Sequence, residues 1–272
     1  MIIVPHEDDE ILMAGGIIEE AVKNEKKVSV VMATNGDYEG TDKITGAVRL
    51  PETIAGLKVL GLKSENVIFM GYADTGMAKG DSFLDGLYFE KEEEKVHPGR
   101  CSDATYGWEE KKDFHREFYG KAGSYTRKNF KEDLRQILLL KKPDTIFTTS
   151  EEDMHGDHSG LFLFVREILR EERENGYAPV LYSGVAHSKA GDLVWPKRSS
   201  QILPFSCPPG FDEGTLKWKD RVSFPVPESM RREDLNQNHK ARALLEHKHA
   251  LKEDAVEFLY AFIKADEVFW RI

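Results

Sequence analysis

Ile2-Ile3-Val4-Pro5-His6-Glu7-Asp8-Asp9-Glu10 decides how the rest of the chain is read. A short apolar run, Ile2–Val4, reads as a strand, and an imidazole and a row of carboxylates crowd the turn after it. From Ile11 to Asn24 the apolar residues Ile11, Ala14, Ile17, Ile18, Ala21 and Val22 have the spacing of one helix face. Val28–Ala33 reads as a strand buried on both faces, and Gly36 to Gly40 as a turn. Pro51–Leu60 reads as a helix stopped by Gly61, and Val67–Met70 as a third strand. Strand–helix alternation with short loops implies parallel strands and right-handed crossovers. The expected fold is therefore α/β: a Rossmann-like open, mostly parallel sheet with helices on both faces.

The alternation stops at an insertion spanning about 74–124, rich in glycine, charge and aromatics. Loops of this length tend to be functional. Its residues Tyr106, Trp108, Phe114 and Tyr119 suit either a substrate wall or the core of a small subdomain. The alternation resumes with helix Tyr125–Leu140, ended by Pro143, then strand Asp144–Thr148, helix Ser159–Glu174 and strand Val180–Ser183. The proline-rich stretch Lys189–Pro227 reads as an irregular C-terminal wrap, and Arg231–Leu251 and Glu253–Lys264 as closing helices. No internal repeat is visible, and 1–272 reads as a single domain.

The net charge of -10 argues against a nucleic-acid partner, which would need clustered Lys and Arg. With 40% hydrophobic and 32% charged residues the chain reads as globular. No apolar run approaches the ~20 residues of a membrane helix, and no secretory signal is visible. Cys101 and Cys207 are too few for a disulfide scaffold or a thiolate zinc site, so a reduced, cytoplasmic protein is expected. The abrupt start on the first strand fits a trimmed or misassigned upstream end.

A second dense cluster, His155-Gly156-Asp157-His158, follows the apolar run Thr145–Thr148. Adjacent carboxylates repel one another unless a cation neutralises them. Two histidines and a carboxylate from separate loops provide the three ligands of a catalytic zinc, with one position left for water. Ligands of open parallel sheets bind at the carboxyl ends of the strands, where strand order reverses. If strands one and four are neighbours there, His6 and Asp9 meet His158 around one metal. Asp8 then stands ready as general base, and His155, when protonated, as donor to an oxyanion. Asp157 would orient an imidazole. Gly15-Gly16 would let the first helix press closely on the sheet. One such cluster alone would read as helix caps and solvated surface; two at equivalent places favour a metal site. Among the other histidines, His97, His115 and His187 show no partner pattern, and His239, His247 and His249 read as surface, with His247 the one to watch. The charged run Glu90–Lys95 reads as solvated.

These residues resemble the LmbE-like or PIG-L deacetylases. The family's first motif, His-Pro-Asp-Asp-Glu, stands here as His6-Glu7-Asp8-Asp9-Glu10, with Glu7 in place of proline, and its His-x-Asp-His as His155-Gly156-Asp157-His158. Further matches are Thr34-Asn35-Gly36-Asp37, Arg49-x-x-Glu52, Tyr72-x-Asp74, the segment Lys240 to His247, and Glu267-x-Phe269. Where the family often has Ser-Gln after the late histidine, His249-Ala250 stand here. The resemblance implies one zinc ion per chain held by His6, Asp9 and His158, with Asp8 as base and His155 as transition-state stabiliser. It also implies Arg49 and Asp74 as sugar contacts.

The expected function is zinc-dependent removal of an acetyl (acyl) group from the amide nitrogen of an N-acetylated amino sugar or its conjugate. The expected partner is that small-molecule sugar, with no membrane; a homo-oligomer is allowed for. Two alternatives are a magnesium-dependent phosphoryl-accepting signalling domain, with Asp74 as acceptor, and a non-catalytic sugar-binding module of the same fold. The first leaves the histidines unexplained, since magnesium prefers oxygen ligands.

Overall fold

The structure is a computed structural model and describes residues 1–252 and 255–272. Along the chain run β1 (Ile2–Val4), α1 (Asp9–Lys23), β2 (Val30–Thr34), α2 (Lys43–Val59) and β3 (Val67–Tyr72). There follow α3 (Phe83–Phe89), α4 (Phe114–Tyr119), α5 (Arg127–Lys141), β4 (Thr145–Thr148), α6 (Gly156–Arg173) and β5 (Val180–Ser183). The chain closes with β6 (Val222–Pro225), α7 (His239–Leu244), α8 (Val256–Ala261) and β7 (Asp266–Arg271).

Side chains alternate across a strand, so the sheet divides the apolar residues into two cores. Ile2, Val4, Val30, Met32, Val67 and Phe69 pack against α1, α2 and the C-terminal helices. Ile3, Val31, Ala33, Met70 and Tyr72 pack against α3, α5 and α6. The strand order is β3-β2-β1-β4-β5-β7-β6. β1 to β5 pair in parallel, and β7 runs antiparallel to β5 and β6. The expected mostly parallel α/β sheet is thus present, with an antiparallel pair added at one edge. The order reverses between β1 and β4, as the site argument required.

α1 is broken at Ala14 (φ -136°, ψ 16°), and the chain's end repairs the break. Lys240 Nζ donates to Leu12 O at 2.8 Å, while the Glu267 carboxylate accepts from Gly16 N (2.8 Å) and Ile17 N (3.0 Å). A helix interruption leaves such groups without partners unless side chains supply them. A Cβ on Gly16 would stand 2.9 Å from Val226 Cγ1, which explains the close approach that glycine permits.

Several sequence-based boundaries move. α2 begins at Lys43, capped by Asp42, and carries Pro51 inside it rather than at its start. Arg231–Leu251 yields only α7, begun by the Asn238 cap on Ala241 N. Glu253–Lys264 shortens to α8, and its first two residues lie outside the described residues. Glu267-x-Phe269, expected only as a motif, lies in the strand β7. The 74–124 insertion carries α3 and α4, and several of its aromatics are packed against neighbours. Tyr106 is buried, its hydroxyl 2.7 Å from Asp37. Trp108 packs edge-on against Phe69, Phe114 is buried, and Tyr119 is 40% exposed.

Candidate functional site

β1 and β4 lie side by side, so the loops that leave their carboxyl ends face each other. The first loop turns sharply: Asp8 has φ 125°, a left-handed conformation costly for a residue with a Cβ. His6 N donates to Asp9 Oδ2 at 3.1 Å, and Asp8 N to Glu10 Oε2 at 3.0 Å, fixing the turn. In the second loop His155 caps α6, its Nδ1 accepting from Asp157 N at 3.2 Å. Thr149 Oγ1 ties the loop to His158 O at 2.7 Å.

The two loops bring His6, Asp9, His155, Asp157 and His158 together, all buried. His6 Nδ1 and His158 Nε2 each lie 3.2 Å from Asp9 Oδ2. His6 Nε2 is 3.2 Å from Asp157 Oδ2 and 3.7 Å from Asp74 Oδ2. The rings of His6 and His155 are 4.6 Å apart between centroids, and those of His155 and His158 5.0 Å. Two donor sets lie within 4.8 Å: His6, Asp9 and His158, and His6, His155 and Asp157. Both His158 nitrogens are buried without a well-directed hydrogen bond, although carboxylates stand at 3.2 and 3.3 Å. Two imidazoles and a carboxylate in this state suit a zinc ion.

Charges follow the geometry. Burial alone would lower the His158 imidazole, but Asp9 and Asp153 push it up to about 10. Against the same burial, Asp74, Asp157 and Asp9 hold His6 well above the usual imidazole range. Burial would raise Asp9, but His158 and His6 keep it well below the usual carboxylate range. Burial, helped by Asp9, pushes Asp8 up to about 6. Burial and the neighbouring rings of His6, His158 and His187 hold His155 below the usual imidazole range. With Nδ1 accepting from Asp157 N, the remaining proton of His155 sits on Nε2. In this tautomer Nε2 is the nitrogen of His155 that is left to donate.

Other residues depart from their sequence readings. His247 is buried, its Nε2 3.3 Å from Glu10 Oε1, and is not a surface residue. His187, which showed no partner pattern, bonds Asp192 at 2.9 Å and lies 5.4 Å from the His155 ring. His115 pairs with Asp133 at 2.8 Å, and Tyr72 donates to the same carboxylate. His97 pairs with Glu90 at 3.1 Å, within the otherwise exposed 90–95 run. His249 is exposed, as expected, and His239 is half-buried against Glu19. Arg49 donates to Gly36 O (2.7 Å) and Glu7 O (2.6 Å) and faces the Glu7 and Asp8 carboxylates, each at 3.7 Å. Asp74 is 7% exposed and held by its own N–H on Asp37 Oδ1 at 2.9 Å.

Asp153 escaped the sequence reading. Its Oδ2 is 3.3 Å from His158 Nδ1 and accepts from Ala186 N (2.7 Å), and its Oδ1 accepts from His155 N (2.9 Å). Its one signal was an acid in the short loop between β4 and the histidines.

A profile of the PIG-L family, GlcNAc-PI de-N-acetylase, matches residues 1–169. The chain belongs to this family. Among solved structures it is similar to the N,N'-diacetylchitobiose deacetylase of Pyrococcus horikoshii, at 15% identity and a TM-score of 0.53, over 100% of this chain and 82% of that one. It is likewise similar to the A40926 pseudoaglycone deacetylase, at 17% identity and a TM-score of 0.53, over 99% and 95%. The conserved protein TT1542 of Thermus thermophilus matches at 16% identity and 0.53, over 99% and 92%. At these identities the PIG-L member shares their fold. No curated protein compared with the chain matches it. No described helix is long and apolar enough to cross a membrane.

Proposed function

We propose that residues 1–272 form one deacetylase domain that hydrolyses the N-acetyl (acyl) group of an amino sugar or its conjugate. The carrying observation is the His6, Asp9 and His158 donor set beside Asp8 and His155 at the β1/β4 switch point. His6, Asp9 and His158 would hold one zinc ion, which supplies a Lewis acid that polarises the acetyl carbonyl. This set is preferred to His6, His155 and Asp157, because Asp157 already accepts from Leu84 N and orients His6.

Asp8 takes a proton from the attacking water; a base near the working pH is the efficient choice. The neutral His155 donates from Nε2 to the oxygen that gains charge. The C–N bond then breaks, and the proton held by Asp8 passes to the departing nitrogen, giving acetate and a free amine. Asp74, beside His6, is the substrate contact of this reading. Arg49 is tied to backbone and carboxylates, which leaves its sugar contact resting on the family resemblance alone.

The family membership supports an amide-cleaving site, and deacetylases with the same fold support an acetylated sugar. The test is metal analysis followed by acetate release over a panel of N-acetylated sugars and glycoconjugates. Zinc with acetate release carries the reading. Sugar binding without turnover would replace it by a binding module, and metal-dependent phosphorylation of Asp74 by a signalling domain. The reduced-compartment expectation adds a cytoplasmic location to the proposal, which fractionation of cells checks.

A further inference from the structure

Glu7 occupies the position at which the family motif carries proline, and nothing in the proposed chemistry uses it. Its side chain is fully buried, and neither carboxylate oxygen has a hydrogen-bond partner. A buried carboxylate in that condition is costly unless a cation stands close. The cation is Arg49, whose Nε lies 3.7 Å from Glu7 Oε2; burial pushes the Glu7 carboxyl up to about 8, and Arg49 is the largest influence holding it down. The same guanidinium donates from Nη2 to the carbonyl of Glu7 at 2.6 Å and from Nη1 to Gly36 O at 2.7 Å, and faces Asp8 Oδ2 at 3.7 Å. That Glu7 carbonyl belongs to the peptide unit just before Asp8, the residue held at φ 125°. Gly36 leaves room for this packing: a Cβ there would collide with both Arg49 Nη1 and Glu7 Oε2.

We propose that Glu7 is a positioning residue: its carboxylate anchors Arg49, and Arg49 holds the strained Asp8 turn in its working orientation. The inference rests on the deacetylase reading for its effect on turnover, but not for the anchoring itself. An arginine fork is well suited to this task because its donors keep fixed directions while its charge is shared between two carboxylates. Arg49 thereby acts on the reaction through Asp8.

The experiment compares wild type, Glu7→Gln, Glu7→Asp, Arg49→Lys and the Glu7→Gln/Arg49→Lys double variant. The Arg49 Nε–Hε NMR resonance, assigned by its loss in Arg49→Lys, should be protected from water exchange in wild type. It should lose that protection in Glu7→Gln and keep part of it in Glu7→Asp. With bound metal retained, kcat for acetate release should fall by up to about 10²-fold in Glu7→Gln, as expected for misplacement of a reacting group, with KM little changed. The double variant should be no worse than Arg49→Lys. Unchanged protection in Glu7→Gln overturns the proposal. So does additive loss in the double variant, or a loss of kcat that merely follows loss of metal and of Tm. If wild type releases no acetate from any substrate, the deacetylase reading fails, and the resonance still decides whether Glu7 anchors Arg49.

Discussion

His247 and Glu10 form a buried contact, with His247 Nε2 3.3 Å from Glu10 Oε1, that joins the C-terminal part of the chain to the first turn of α1. Glu10 in turn accepts from Asp8 N, so the contact reaches the base of the proposed reaction. Burial would lower His247, but Glu10 and Asp8 raise it. His247→Ala should leave Glu10 Oε1 buried without its neighbour and destabilise the fold by about 1–3 kcal/mol. Urea unfolding measures this, and Glu10→Gln in the same background should recover part of the loss. Unaltered stability in His247→Ala would show that the contact contributes nothing.

His6→Ala, Asp9→Ala and His158→Ala should each abolish stoichiometric zinc, since each removes one of the three proposed ligands. Asp157→Asn should retain zinc with affinity lowered roughly 10- to 100-fold, the usual effect of disturbing a group that orients a ligand. Calorimetric titration of the metal-free protein separates the two classes. Full zinc occupancy in Asp9→Ala but not in His155→Ala would move the site to the other donor set.

Asp8→Asn keeps the shape of the side chain and removes the proposed proton acceptor. Zinc content should stay at the wild-type level while kcat falls by roughly 10²–10⁴. His155→Ala should behave similarly, with the metal kept and turnover reduced. Near-normal acetate release from Asp8→Asn would assign the base to another carboxylate.

Trp108→Ala tests the role of the 74–124 insertion. Trp108 packs edge-on against Phe69 at 5.4 Å between ring centroids and joins the core beneath α2. Truncating a packed aromatic costs about 3–5 kcal/mol when it is fully buried, and this half-buried ring should cost somewhat less. Tm should drop clearly while kcat/KM of the folded enzyme stays near wild type. The opposite pattern would restore the substrate-wall reading.

Acid should weaken the α5–α6 seam. Arg127 and Lys131 pair with Glu167, and Lys131 and Arg135 with Glu171. Burial would raise both carboxylates, but Lys131 and the arginines hold them below the usual range. A depressed folded pKa gives stability that is complete above the unfolded value, about 4.3 for glutamate, and lost as pH falls through the folded value. Lys131→Met should therefore flatten the acid limb of the stability–pH curve, followed by thermal melts between about pH 6 and 3. An unchanged acid limb would mean that the seam does not titrate with folding.

Much of the sheet was legible because β1 to β5 are short apolar runs bounded by turn residues, and burial on both faces leaves that pattern in the residues themselves. The edge was not. β7 shows in the sequence only as its Glu267-x-Phe269 motif, because its pairing with β5 and β6 and the Glu267 bonds to α1 come from distant residues. The clustered acids and histidines announced a site, since adjacent carboxylates call for a neutralising partner. Asp153 and His247 were silent because each meets its partner only across a loop or from the far end of the chain.

From sequence alone came the alternation that makes a parallel sheet, the two motifs at equivalent strand ends and the resemblance to one family. All three are local patterns of residue type, which a linear chain records directly. The tertiary structure decided that β1 and β4 are neighbours, that Asp157 serves His6 while Asp153 serves His158, and that Arg49 is held between Glu7 and Asp8. Those are choices among partners of the same charge and type. They are settled by which backbones the sheet register and helix packing bring within a few ångströms of one another.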